Sequence, residues 1–168
     1  SNYVSKIDLE IKNSTFINNR ANDTRHSLAD NDLSSFPYTR GYDGGVVYGT
    51  FNRCYITDSG FYNNQAMENG GALYAKANDG QILDSVFAGN IAGLSAGALD
   101  LSKNFIIMRT IISNNSARYG GALQYNSYSY DGHIQDSLNI YNSTISNNKA
   151  LNRGGAFDFG TANVVIHD

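Results

Sequence analysis

Large apolar side chains recur along this chain at a fixed distance from an asparagine. Phe16, Phe61, Phe87, Ile112 and Ile145 each lie three residues before Asn19, Asn64, Asn90, Asn115 and Asn148. Two residues after each asparagine stands an alanine: Ala21, Ala66, Ala92, Ala117 and Ala150. Two residues before each apolar position is a hydroxyl, at Ser14, Ser59, Ser85, Thr110 and Ser143. Three further back is isoleucine every time, at Ile11, Ile56, Ile82, Ile107 and Ile140, and Ile166 opens a sixth copy. The isoleucines are 45, 26, 25, 33 and 26 residues apart. A unit of about 25 residues is too short for paired-helix repeats and fits a solenoid with strands in each coil. Runs such as "DLEIKNSTF" and "SLNIYNSTI" are short, β-type and end in polar turns. No segment sustains a 3.6-residue apolar stripe, so no helix is expected.

The pattern therefore predicts an all-β fold, a parallel β-helix of about six coils, each about 25 residues long. Strands of successive coils would pair at about 4.8 Å, turning equivalent positions into columns along the axis. The isoleucine and phenylalanine columns are assigned to the interior. The column Asn19, Asn64, Asn90, Asn115 and Asn148 is expected to turn inward at a corner as a structural ladder, each amide bonding its neighbour and the corner backbone. A Gly-Gly pair follows most copies, and it suits a corner that needs positive φ or has no room for a Cβ. The whole of 1–168 reads as one domain with two loop insertions, at about 22–43 and about 126–133.

Repeated "FxxN" followed by "GGA[ILV]" resembles the repeats of the polymorphic membrane proteins, the chlamydial autotransporter adhesins. Phe61–Asn64 with Gly70–Leu73 matches in full, Phe16–Asn19 pairs with Gly44–Val47, and Phe87–Asn90 pairs with "AGAL" at 96–99. Two later copies carry isoleucine for phenylalanine, followed by "GGAL" and "GGAF". The resemblance implies an exported, elongated, surface-exposed β-helix used for adhesion or structure. Together with the handedness rule for parallel crossovers, it also implies a right-handed coil.

Composition narrows the partners. Charged residues make up 16% of the chain and the net charge is −3, so there is no basic field for nucleic acid or anionic lipid. No apolar run is long enough to insert directly in a membrane. The single Cys54 excludes an internal disulfide and a cysteine metal cluster. No cofactor or metal site is expected: "DND" at 30–32 lacks a completed calcium loop, and His26, His133 and His167 share no repeat position.

Chemistry on a solenoid is sought in insertions and outward columns. Tyr125, Tyr128 and Tyr130, in and beside the second insertion, are candidates for binding host or environmental glycans or a partner surface, because a tyrosine offers flat apolar area and a hydroxyl. The outward column after the Gly-Gly pair reads Tyr48, Tyr74, Asp100, Gln124 and Asp158. Asp100 and Asp158 would lie about 9.6 Å apart, at the edge of the carboxylate separation of an inverting glycosidase. With no adjacent Lys or Arg expected, they are weak catalytic candidates. Arg109 falls in another column, with Asn13, Asp58, Asp84, Asn142 and Asp168, which read as corner formers. Sequons begin at Asn13, Asn22, Asn114 and Asn142, where composition alone predicts about three.

The reading is a non-catalytic extracellular or cell-surface β-helix with an adhesive or structural role. End-to-end stacking on neighbouring coils or subunits is the expected partnership, with fibres among its outcomes. The alternatives are a polysaccharide lyase or hydrolase of the pectin-lyase-like β-helix type, and a glycan-binding module.

Overall fold

A computed structural model describes residues 7–21, 42–127 and 136–168. Every strand pairing between its named strands is parallel, and no helix occurs among the described residues. The strands stack into three sheets, and the chain visits them in turn, which makes a parallel β-helix. The first sheet is built on Asp8–Lys12, Val47–Thr57, Leu73–Leu83 and Leu99–Met108. Beyond Leu99–Met108 it divides between Leu123–Asn126 and Ser137–Tyr141, and continues as Phe157–Phe159 and Asn163–His167. The second sheet carries the short strands Thr15–Ile17, Gly60–Tyr62, Val86–Ala88, Ile111–Ser113 and Thr144–Ser146. The third carries Arg20–Ala21, Gln65–Ala66, Ile91–Ala92, Ser116–Tyr119 and Lys149–Arg153.

The sheets meet at corners, and each corner has its own way of reversing the backbone. Between the first and second sheets, Asn13, Asp58, Asp84, Arg109 and Asn142 all take positive φ, between 46° and 50°. The left-handed region suits Asn and Asp, whose short side chains bond locally, and Arg109 is the exception. The hydroxyl that follows each of these residues closes the turn. Ser59 Oγ donates to the Thr57 carbonyl at 2.7 Å and accepts the Ser14 N–H of the adjacent coil at 3.2 Å. Ser85 and Thr110 repeat the arrangement.

At the second corner, Asn18, Asn63, Gly89, Asn114 and Asn147 take positive φ, and the ladder asparagine comes next. Asn90 shows the full set of bonds. Its Oδ1 accepts from the N–H and the Nδ2 of Asn64 (2.9 and 3.0 Å), and its Nδ2 donates to Phe61 O and Asn115 Oδ1 (both 3.0 Å). All four bonding positions of a buried amide are therefore used. The same contacts link Asn19 to Asn64 and Asn115 to Asn148.

The Gly-Gly pair at the third corner answers two separate demands. The first residue turns, with φ of 63° at Gly44 and Gly70. The second lies against the backbone of the next coil: a Cβ on Gly71 would stand 2.0 Å from the Gly97 carbonyl oxygen. Gly45, Gly97 and Gly121 meet the same obstacle at 2.1, 2.1 and 2.2 Å.

The interior follows the predicted columns. Ile11, Ile56, Ile82, Ile107, Ile140 and Ile166 pair in register across the first sheet. Phe16, Phe61 and Phe87 stack with ring centroids 5.0 and 4.5 Å apart, and Ile112 and Ile145 continue the column. Ala66, Ala92 and Ala117 are fully buried. The insertion boundaries move slightly. Asn126 completes the strand Leu123–Asn126 and Ser127 is buried, while Asp43 already bonds to the coil. The last residue of the first predicted loop and the first of the second thus belong to the solenoid wall.

Candidate functional site

The outward column after the Gly-Gly corner is in register: Tyr48 pairs with Tyr74, Tyr74 with Asp100, Asp100 with Gln124, and Gln124 with Asp158. Its side chains are unequal in length. The rings of Tyr48 and Tyr74 stack at 5.1 Å, and Tyr48 is 65% exposed. One coil further the column shortens to Asp100, and beyond it lengthens again to Gln124. Because strand side chains alternate, the next outward column lies two residues on. It runs Thr50, Lys76, Ser102, Asn126 and has the same short step, at Ser102. Asp100 and Ser102 therefore floor a notch one coil wide, with Tyr74 on one side and Gln124 and Asn126 on the other. The hollow measures about 180 Å³ and also reaches Asn69.

Asp100 is half-buried, and no hydrogen bond from a described residue reaches its carboxyl. Burial pushes that carboxyl up to about 8; repulsion from Asp43 adds to the effect and attraction from Lys76 opposes it. Burial likewise raises Asp43, against the two bonds it accepts from the N–H and Nδ2 of Asn69 at 3.0 and 2.9 Å. A carboxyl held in its acid form at neutral pH both donates and accepts hydrogen bonds.

This geometry corrects one expectation. The Asp100–Asp158 column does have basic neighbours: Lys76 acts on Asp100, and Arg153 Nε lies 3.1 Å from Asp158 Oδ1. Lys76 belongs to the adjacent outward column, and Arg153 reaches Asp158 across the Gly-Gly corner. Arg153 also covers the Tyr119 ring, with Cζ 4.9 Å from its centroid.

Tyr125 is a second correction. It is fully buried, and its hydroxyl donates to the Lys103 carbonyl at 2.6 Å, so it has no face to offer a ligand. Alternation carried the signal, because Gln124 outward puts Tyr125 inward. Tyr128 and Tyr130 lie outside the described residues, as do Asn22, His26, His133 and the "DND" run. Asn13, Asn114 and Asn142 are exposed at positive-φ corners. In two of these sequons, at Asn13 and Asn142, the middle residue is the corner serine itself, so the repeat generates the motif. Arg109 forms a two-pronged pair with Asp84, Nε and Nη2 each 2.6 Å from a carboxylate oxygen. Cys54 is interior, its thiol pushed up to about 12 by burial, and so is a poor nucleophile. Among the described residues no group of three or more His, Cys, Asp or Glu side chains converges to hold a metal.

A family model, the repeat of the Chlamydia polymorphic membrane protein, matches residues 61–76. The matched segment begins at the stacked Phe61, passes the ladder Asn64 and the pair Gly70–Gly71, and ends on Tyr74 and Lys76 of the outward columns. No curated protein and no solved structure matches the chain.

Proposed function

We propose that this chain is a non-catalytic β-helix displayed outside the cell or on its surface, where it serves adhesion. The observation that carries the reading is the Chlamydia polymorphic membrane protein repeat on the coil that supplies Tyr74 and Lys76, consistent with a cell-surface location. The distribution of side chains supports it. Isoleucine, phenylalanine and asparagine columns hold the rod, while the outward columns vary from coil to coil and are free to carry recognition. Antibodies raised against the purified chain should label intact, unpermeabilised cells of the source organism, and the soluble chain should compete with their attachment. Labelling only after permeabilisation would overturn the proposal.

A second reading has one observation behind it. A glycoside-cleaving role is favoured by the acid form of Asp100 two coils from Asp158, the arrangement of a proton donor and a base. Turnover of a polysaccharide that Asp100→Asn and Asp158→Asn each abolish would establish it; no turnover by the unaltered chain would dismiss it.

A further inference from the structure

We infer that the notch over Asp100 is a binding site for an uncharged saccharide unit, whose ring stacks on Tyr74 and whose hydroxyls bond to Asp100, Gln124 and Asn126. The inference rests on the surface-adhesion reading for its setting and on the notch for its chemistry.

The shape comes first. In the columns that hold the rod together, neighbouring coils carry side chains of similar size, so each ring or methyl covers the next. Here the stack Tyr48–Tyr74 is followed by an aspartate, leaving a gap where a third ring would lie. Strands two coils apart are separated by about 9.6 Å, which leaves room for one flat ring between Tyr74 and Gln124. The hollow of about 180 Å³ holds about six waters at liquid density, enough for one ring and its substituents but not for a folded peptide.

The rim comes second. The surface of the hollow is almost wholly polar: the amides of Asn69, Gln124 and Asn126 and the hydroxyl of Ser102 line it beside Tyr74. The amides of Gln124 and Asn126 and the Ser102 hydroxyl present donors and acceptors side by side, as a ring of vicinal hydroxyls requires. A pyranose supplies that polar edge, and its C–H face can lie against the Tyr74 ring on the side away from Tyr48.

The charge comes third. The surroundings that hold Asp100 in its acid form, burial first and the Asp43 carboxyl second, oppose the charge of a uronic acid or sulfated sugar in the same way, which disfavours it. With its carboxyl in the acid form, Asp100 donates a hydrogen bond to a sugar oxygen without introducing a charge.

The test titrates the purified chain with cellotetraose, mannotetraose and chitotetraose, and with polygalacturonate as the acidic counterpart, by calorimetry and saturation-transfer NMR. At least one neutral probe should bind with a Kd of about 1 mM or tighter. Tyr74→Ala should weaken that binding by about tenfold or more, while Tyr74→Phe stays within about threefold. Gln124→Ala, an outward change with no core contact to lose, should weaken it by about threefold or more. Asp100→Asn, whose amide also donates and accepts, should keep binding within about threefold, and Asp100→Leu should abolish it. The inference is overturned if none of the neutral probes binds up to about 10 mM. It is equally overturned if polygalacturonate alone binds, or if binding survives both Tyr74→Ala and Gln124→Ala. These titrations use purified protein, so a chain absent from intact cells would sink the surface reading by a separate result.

Discussion

Two columns run along the same rod and treat polar side chains in opposite ways. The corner column of Asn19, Asn64, Asn90, Asn115 and Asn148 repeats one residue, and its central members are buried with every amide position used. The outward column of Tyr48, Tyr74, Asp100, Gln124 and Asp158 changes residue at almost every coil and leaves a carboxyl half-buried beside a hollow. Identical neighbours can satisfy one another by translation along the axis, so repetition marks a column that works for the fold. A column of unequal members leaves gaps and unmatched groups, which solvent or a ligand then meets. Asp100 stands out in that light. Its position tolerates Tyr and Gln in adjacent coils, yet it holds a group whose ionised form the surroundings oppose. A residue that opposes stability in a cleft is a candidate for function.

The largest effect is expected at the ladder. Asn90→Ala removes four hydrogen bonds at once and strands the Asn64 N–H in the interior, leaving Asn64 Nδ2 with only the Phe16 carbonyl. The expected loss is about 3–5 kcal/mol, read as a lower urea midpoint or a failure to fold. A loss under about 1 kcal/mol would mean that the ladder is ornamental.

Asp100 gives the next effect, with the opposite sign. Its carboxyl titrates at about 8 in the folded chain against an ordinary 3.8, so between those values the folded state holds a proton that the unfolded state has released. The contribution to stability is fully present below the ordinary value and is lost as pH rises through the folded one. Asp100→Asn should therefore change little near pH 4 and raise stability by about 1–3 kcal/mol above pH 8. Urea unfolding at several pH values measures the difference, and parallel profiles for the two proteins would contradict the burial argument.

A smaller effect is expected from Ala96 at the third corner. This alanine takes the turning position that glycine holds in the other copies, with φ of 59° and no exposure. Ala96→Gly should relieve the left-handed strain and raise stability by about 1 kcal/mol. The smallest effect belongs to Gln124→Ala, which should stay within about 0.5 kcal/mol of the unaltered chain while its binding changes. A large stability loss there would return the outward column to the fold.

Much of this was legible because a repeat is its own alignment. The isoleucine, phenylalanine and asparagine columns, the corner role of Asn13, Asp58 and Asp84, and the register of the outward column all follow from equal spacing along the chain. The Gly-Gly pair suits either positive φ or close packing on sequence grounds; it serves both, one demand at each residue. The tyrosine cluster points Tyr125 outward, whereas alternation from Gln124 puts it inside, and it is inside. Lys76 was legible by the same alternation, two residues beyond Tyr74. Arg153 was not, since its approach to Asp158 depends on how the chain rounds a corner.

Equal spacing along the chain already says which residues are axial neighbours, because parallel pairing in register carries each position onto its equivalent in the next coil. What those neighbours experience depends on how the coils pack. The notch over Asp100, its withdrawal from water, the reach of Asp43 and Lys76 toward its charge, and the burial of Tyr125 all depend on contacts between columns and on differences in side-chain length. Spacing along a chain fixes order, whereas burial and electrostatic coupling arise only when separate coils enclose the same small volume.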